Sequence, residues 1–287
     1  MALKQSNYLR MRFACLLMAV LTISGCSLFG SDDDRNKPMP LAEFKPTVSA
    51  QIAWRAPVGS SVAFGLSPTV VGDSIFAASA DGVVTKVDLA TGNVQWKMTV
   101  AKILSAGAGS DGKTTAVATP EGDIIALDEA GAVKWTARAS SDVIVQPWVG
   151  LGVVVVRSGD YRIQAFNAAN GERIWSVQRP GPSLALRVAQ QMIAIEGLVI
   201  TGLPGGRLMA IEPIAGSVVW EGIVAAPRGS SELERVNDVV GSPVVLGDFL
   251  CAVSYQGRIG CFNISQGGRI IWAKDFSSSA GMAIDAK

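Results

Sequence analysis

Across the 287 residues, side chains able to act as nucleophiles, bases or metal ligands are unevenly supplied: there are 4 cysteines, 24 aspartates and glutamates, and no histidine. Without histidine there is no Ser–His–Asp or Cys–His relay and no His-containing zinc site. A Gly-x-x-x-x-Gly-Lys-Ser/Thr phosphate loop is also missing. The string Gly107-Ala108-Gly109 lacks the strand-to-helix setting that turns glycines into a phosphate cradle. Asp32-Asp33-Asp34 is an acidic run in a proline-containing stretch and reads as solvation rather than as a metal site. Cys251 and Cys261 flank Gln256-Gly257, and their chemistry depends on the turn between them. A two-residue turn pairs Cys251 with Phe262, whereas a three-residue turn sets the cysteines opposite each other. Two buried free thiols are the expectation. No catalytic residue, metal or cofactor is expected.

Cys26 is different. Lys4, Arg10 and Arg12 form a basic start, Phe13 to Ile23 is apolar, and Ser24-Gly25-Cys26 follows. Eleven apolar residues are too few to cross a hydrocarbon core, which needs about 20, so the segment reads as an export signal. Ile23-Ser24-Gly25-Cys26 resembles a bacterial lipobox, in which the cysteine becomes a lipidated N-terminus. Residues 1–25 are therefore expected to be a lipoprotein signal, and Cys26 the lipid-bearing residue. Ser27 after the cysteine favours the outer membrane by analogy with lipoprotein sorting. Residues 26–46, with Pro38, Pro40 and Pro46, read as a solvated tether. With 25 basic and 24 acidic residues the net charge is +1, which gives no field to draw the protein onto nucleic acid.

Residues 47–287 must position whatever surface the protein uses. Short Val/Ile/Ala-rich runs alternate there with Asp-Gly and Thr-Gly turns about every ten residues, the pattern of an all-β chain. Trp96, Trp135, Trp175, Trp220 and Trp272 fall in register at spacings of 39, 40, 45 and 52 residues, and Trp54 stands 42 before the first. Each closes a phrase such as Asp81-Gly82-Val83-Val84-Thr85-Lys86-Val87-Asp88-Leu89-Ala90-Thr91-Gly92-Asn93-Val94-Gln95-Trp96. A unit of about 40 residues cannot bury both its faces alone, so copies must stack; radial four-stranded blades are the β-propeller solution. The tryptophans are expected to plug neighbouring blades together. Ser67-Pro68, Gln146-Pro147 and Ser242-Pro243 are expected to start inner strands, with Trp148 in the core. About five full blades are present, and Gln51 to Trp54 is expected to supply one strand that completes the last blade and closes the ring. The chain stops after the fifth copy, so the propeller is expected to be incomplete at its C-terminal side.

The two longest intervals carry their excess between the outer strand of one blade and the inner strand of the next. Such connections emerge on one face and here join consecutive blades, so the two insertions should be neighbours. Arg179, Leu184, Leu186 and Arg187 lie on one; Arg228, Glu232, Glu234, Arg235 and Asp238 lie on the other. Apolar anchors with a charged rim make a binding patch.

The phrase Ala-x-Asp-x-x-Thr-Gly-x-x-x-Trp, seen in Thr85-Lys86-Val87-Asp88 to Trp96 and in Ala126-Leu127-Asp128 to Trp135, resembles the quinoprotein-type propeller repeat. Two families use it: the pyrroloquinoline-quinone dehydrogenases, and the outer-membrane assembly lipoproteins of the β-barrel assembly machinery, the BamB type. Lipobox, tether and compact repeats resemble the second. That resemblance implies eight blades, a lipid anchor at the periplasmic face of the outer membrane, and a non-catalytic scaffold. Its partners would be the periplasmic domains of the barrel-forming subunit and unfolded outer-membrane proteins. It also implies that Leu184, Leu186, Arg187 and Asp238 grip that subunit, while Val240 stands where the family pattern has a second acidic residue. The dehydrogenase alternative would need long pocket-walling loops, an acidic base and calcium, for which the compact repeats leave little room.

Overall fold

A computed structural model describes residues 43, 49–60, 66–100, 102–188 and 190–285. The signal, Cys26 and nearly all of the tether lie outside the described residues. The chain divides into units 1–51 and 52–287, and all the strands described below belong to the second.

Alternating Val/Ile/Ala runs make five antiparallel meanders, each strand paired with the next in sequence. The first blade comprises Thr69–Val71, Ser74–Ala78, Val83–Asp88 and Val94–Thr99; the second comprises Gly109–Ser110, Thr115–Ala118, Asp123–Leu127 and Val133–Arg138. The third runs through Trp148–Gly150, Val153–Arg157, Arg162–Asn167 and Arg173–Gln178. Ile193–Ile195, Leu198–Leu203, Arg207–Ile211 and Val218–Ile223 form the fourth, and Val239–Leu246, Phe249–Ser254, Arg258–Asn263 and Arg269–Asp275 the fifth. Two short segments, Val145–Gln146 and Gln190–Gln191, join the fifth sheet in parallel, Val145 beside Gln190 and Gln190 beside Gly241. Inner edges of the third, fourth and fifth blades are thus tied to one another by backbone hydrogen bonds.

The core lies between blades. Phe76, Ala78 and Val84 of the first blade pack with Val117, Ile125 and Leu127 of the second, and each later pair repeats this. Burying each such aliphatic side chain contributes about 1.5–3 kcal/mol before entropy is charged against it. A strand whose two faces meet two neighbouring blades must be apolar on both, which is why Val153, Val154, Val155 and Val156 are all buried.

A bulge recurs between the third and fourth strands of every blade and sets Trp96 opposite Lys86, Trp135 opposite Ala126, Trp175 opposite Ala165, Trp220 opposite Ala210 and Trp272 opposite Cys261. All of these indoles but that of Trp272 reach the next blade's turn. The Nε1 of Trp96 donates to Glu129 O at 3.0 Å, that of Trp135 to Ala168 O at 3.0 Å, and that of Trp175 to Pro213 O at 2.8 Å. Beneath the rings of Trp96, Trp135 and Trp175 lie Gly131, Gly171 and Gly216, where a Cβ would come within 2.8 Å of the indole and where φ is positive. Glycine is required there twice over. The Asp, Asn or Glu that opens the same turn holds it shut: Asp88 Oδ1 accepts from Thr91 N at 2.8 Å and Thr91 Oγ1 at 2.7 Å, which pulls its carboxyl below the ordinary range.

Trp54 makes the latch contact with the first blade, donating to Leu89 O at 3.1 Å over Gly92, while residues 51–54 form no strand and no described segment pairs with them. Three expectations are corrected. Trp272 is 47% exposed rather than a plug, because no described turn covers its ring. Ser242-Pro243 lies inside Val239–Leu246, where the register shifts between Val240 and Val244, so the proline sits at a bulge. Finally, Cys251 pairs with Cys261 and the two form a disulfide. The turn spans Tyr255 to Gly257 with Gln256 in the left-handed region, φ 45°, and this three-residue loop brings the thiols to one face. Closing so short a loop stabilises by about 2–3 kcal/mol.

Candidate functional site

The two insertions lie on one face and meet at their roots. The first follows strand Arg173–Gln178 and runs over the inner ends of the third and fourth blades. Gly181 lies against the Tyr161 ring, where a Cβ would clash, and Tyr161 Oη donates to Pro182 O at 3.0 Å. Leu186 N donates to a carboxylate oxygen of Asp238, on the second insertion, whose other oxygen accepts from Gly205 N at 3.0 Å. Arg187 ends the loop in an ion pair with Asp142, from the connection between the second and third blades.

Leu184 is 43% exposed and the Arg187 side chain 68% exposed, with Leu186 half-buried between them. An exposed ion pair is worth only about 0–1 kcal/mol, so Arg187 is oriented by Asp142 while remaining free to be drawn to another carboxylate. Asp238 differs from these three. It is 1% exposed and spends both oxygens on backbone amides, so it shapes the loop from beneath. Val240 is equally buried, within the inner strand, and offers no charge at this face.

Arg179 turns away from the patch toward Glu221, its Nε 2.8 Å from Oε1, and Arg207 binds the other oxygen of the same carboxylate. On the second insertion, Glu234 folds back on its own turn. Its Oε2 accepts from Ser230 N at 2.8 Å and Ser231 N at 3.0 Å, holding its carboxyl down at about 2. Glu232, Arg228 and Arg235 are exposed, and Leu233 is 71% exposed.

Sequence reading overlooked Arg157 and Tyr161, the third-blade residues beneath the loop. Arg157 is buried, and burial pushes its guanidinium down to about 10 against the opposing charge of Asp238; it therefore stays protonated at neutral pH. Nothing in the repeat marks it, since the same position is Ala78 in the first blade and Ala118 in the second.

Near the inner ends of the blades a cavity of about 590 Å³ opens beside Arg187, with Ser67, Gln190, Gln191 and Ser242 in its wall. Amides, hydroxyls and a guanidinium line it, with no carboxylate to serve as a base or to hold calcium. These residues do not fit a quinone dehydrogenase centre. Among the described residues no cluster of acidic or cysteine side chains could hold a metal.

The profile of the family described as outer membrane protein assembly factor BamB matches residues 47–101 and 80–287. A relative of that name from Bordetella pertussis is 62% identical over 274 residues, covering 96% of this chain and 71% of the relative. The chain belongs to the BamB family. A crystal structure of BamB from Moraxella catarrhalis matches with a TM-score of 0.68 at 25% identity, over 75% of this chain and 65% of that one. A europium-containing methanol dehydrogenase matches at 0.61 with 17% identity, over 79% of this chain and 53% of that one, and shares the propeller fold alone. BamB proteins are named for assembly and not for a reaction.

Proposed function

We propose that this protein is a non-catalytic scaffold of the outer-membrane β-barrel assembly machinery. In this reading it binds the periplasmic domains of the barrel-forming subunit and so aids insertion of outer-membrane proteins. A lipid on Cys26, with residues 26–46 as tether, would hold it at the periplasmic face of the outer membrane, and its contact with unfolded barrel substrates would follow from that placement.

One observation carries the reading: in a chain of this family, Leu184, Leu186 and Arg187 stand on a loop held by Tyr161, Asp238 and Asp142. A loop ordered before its partner arrives loses less entropy on binding, and apolar anchors beside a charge are where binding energy concentrates. Leu186 and Arg187 would contact the subunit directly, while Asp238 would act through Leu186.

The test is affinity capture of the full-length protein from mild-detergent membranes beside a Leu186→Glu, Arg187→Glu variant. Recovery of the barrel-forming subunit by the parent and its loss from the variant are expected. Equal recovery would move the site elsewhere, and no recovery by either would remove the scaffold reading.

A further inference from the structure

The loop that carries Leu184 to Arg187 has little secondary structure of its own, so its shape must come from what lies beneath it. Beneath it is a chain of buried polar groups crossing three blades. Arg157, at the end of the second strand of the third blade, donates from Nη2 to Gln190 Oε1 at 2.6 Å. Gln190 Nε2 in turn donates to Val239 O at 2.6 Å, while its backbone is laddered to Val145 and Gly241. The residue before Val239 is Asp238, whose carboxylate holds Leu186 N and Gly205 N. Arg157, Gln190 and Asp238 are 6%, 5% and 1% exposed.

A buried carboxylate is tolerable only with its hydrogen bonds and a counter-charge, and removing one charge of such a set strands the other. Asp238 has two amide donors, and Arg157 is the cation whose charge it feels. Arg157 is too deep to meet a partner, since Tyr161, Leu186 and Arg187 wall the recess of about 150 Å³ above it.

We infer that Arg157 is a positioning residue for the partner-binding loop: through Gln190 and Asp238 it holds Leu186 and Arg187 in the geometry that binds. The inference rests on the proposed reading of this face, but its test does not require the partner.

Amide exchange of the full chain, without partner, compares the parent with Arg157→Met, Asp238→Asn and the double variant. Arg157→Met is expected to speed exchange across residues 184–188 by roughly 10-fold or more, with the strands of the first blade unchanged. In the Asp238→Asn background the same substitution should add little, because the carboxylate it supports is already neutral. Arg157→Lys, which keeps the charge, should recover most of the protection. Unchanged exchange at Leu186, or effects of the two substitutions that simply add, would overturn the inference. Should Arg157→Met fail to fold, Gln190→Leu breaks the same clamp while keeping the charges of both Arg157 and Asp238, and unchanged exchange at Leu186 in that variant would overturn it equally. Capture of the barrel-forming subunit by the parent reports on the face; exchange at Leu186 reports on Arg157.

Discussion

Asp238 and Glu234 lie four residues apart on one insertion and do different work. Asp238 is buried and binds two amides from other segments, whereas Glu234 is exposed and binds amides of its own turn. The second case gives a pH prediction whose sign is fixed. A carboxyl depressed from its ordinary 4.5 to about 2 stabilises the folded turn fully above 4.5, and that contribution is lost as pH falls toward 2. The Glu234 carboxyl carbon and the Ser230 and Ser231 amides are expected to titrate together in an NMR series with a midpoint near 2. A midpoint near 4.5 would mean that the turn does not hold the carboxylate. At this scale sequence showed which residues were unusual but not which way they faced. Leu184 and Arg187 are exposed, whereas Asp238 is buried with both oxygens on backbone amides and Val240 is buried within the inner strand. Arg157 left no trace in the repeat, since its role comes from a loop 25 or more residues away.

The latch between blades is an element-scale device: one bulge aims a tryptophan, and one glycine in the next blade receives it. Trp135, 8% exposed and bonded to Ala168 O, is the clearest copy. Trp135→Ala is expected to cost about 3–5 kcal/mol in urea unfolding. Gly171→Ala, which would press a Cβ onto the same indole from a backbone at φ 78°, should cost about 1–3 kcal/mol. Because a repeat array couples mainly through nearest neighbours, both losses should appear as faster amide exchange at the interface of the second and third blades. Uniform acceleration across all five blades would contradict a local latch. The periodic tryptophans and the glycine-closed turns made this element legible from sequence, since the contact of an indole with a glycine recurs at Gly131, Gly171 and Gly216. The turn at Gln256 was less legible. Gln-Gly reads as a two-residue reversal, yet Tyr255 joins the loop, and that single extra residue turns two expected thiols into a disulfide.

Across the whole molecule, five blades present both insertions on one face, as the shared type of their connections requires, and that face gathers the exposed Leu184 and Arg187. The number of blades and the location of the insertions could be counted from tryptophan spacing. The parallel ladder of Val145, Gln190 and Gly241 could not, because two-residue strands have no periodicity to detect, yet it fixes the blades under the loop relative to one another. The central claim is that this face docks on the barrel-forming subunit. Its most direct test places a photocrosslinking amino acid at Leu184 and at Leu186 in the full-length protein in cells, with Val133, exposed on an outer strand of the second blade, as control. The account predicts adducts to the barrel-forming subunit from Leu184 and Leu186 and none from Val133. Adducts from Val133 alone, or no adduct to that subunit from any position, would contradict it.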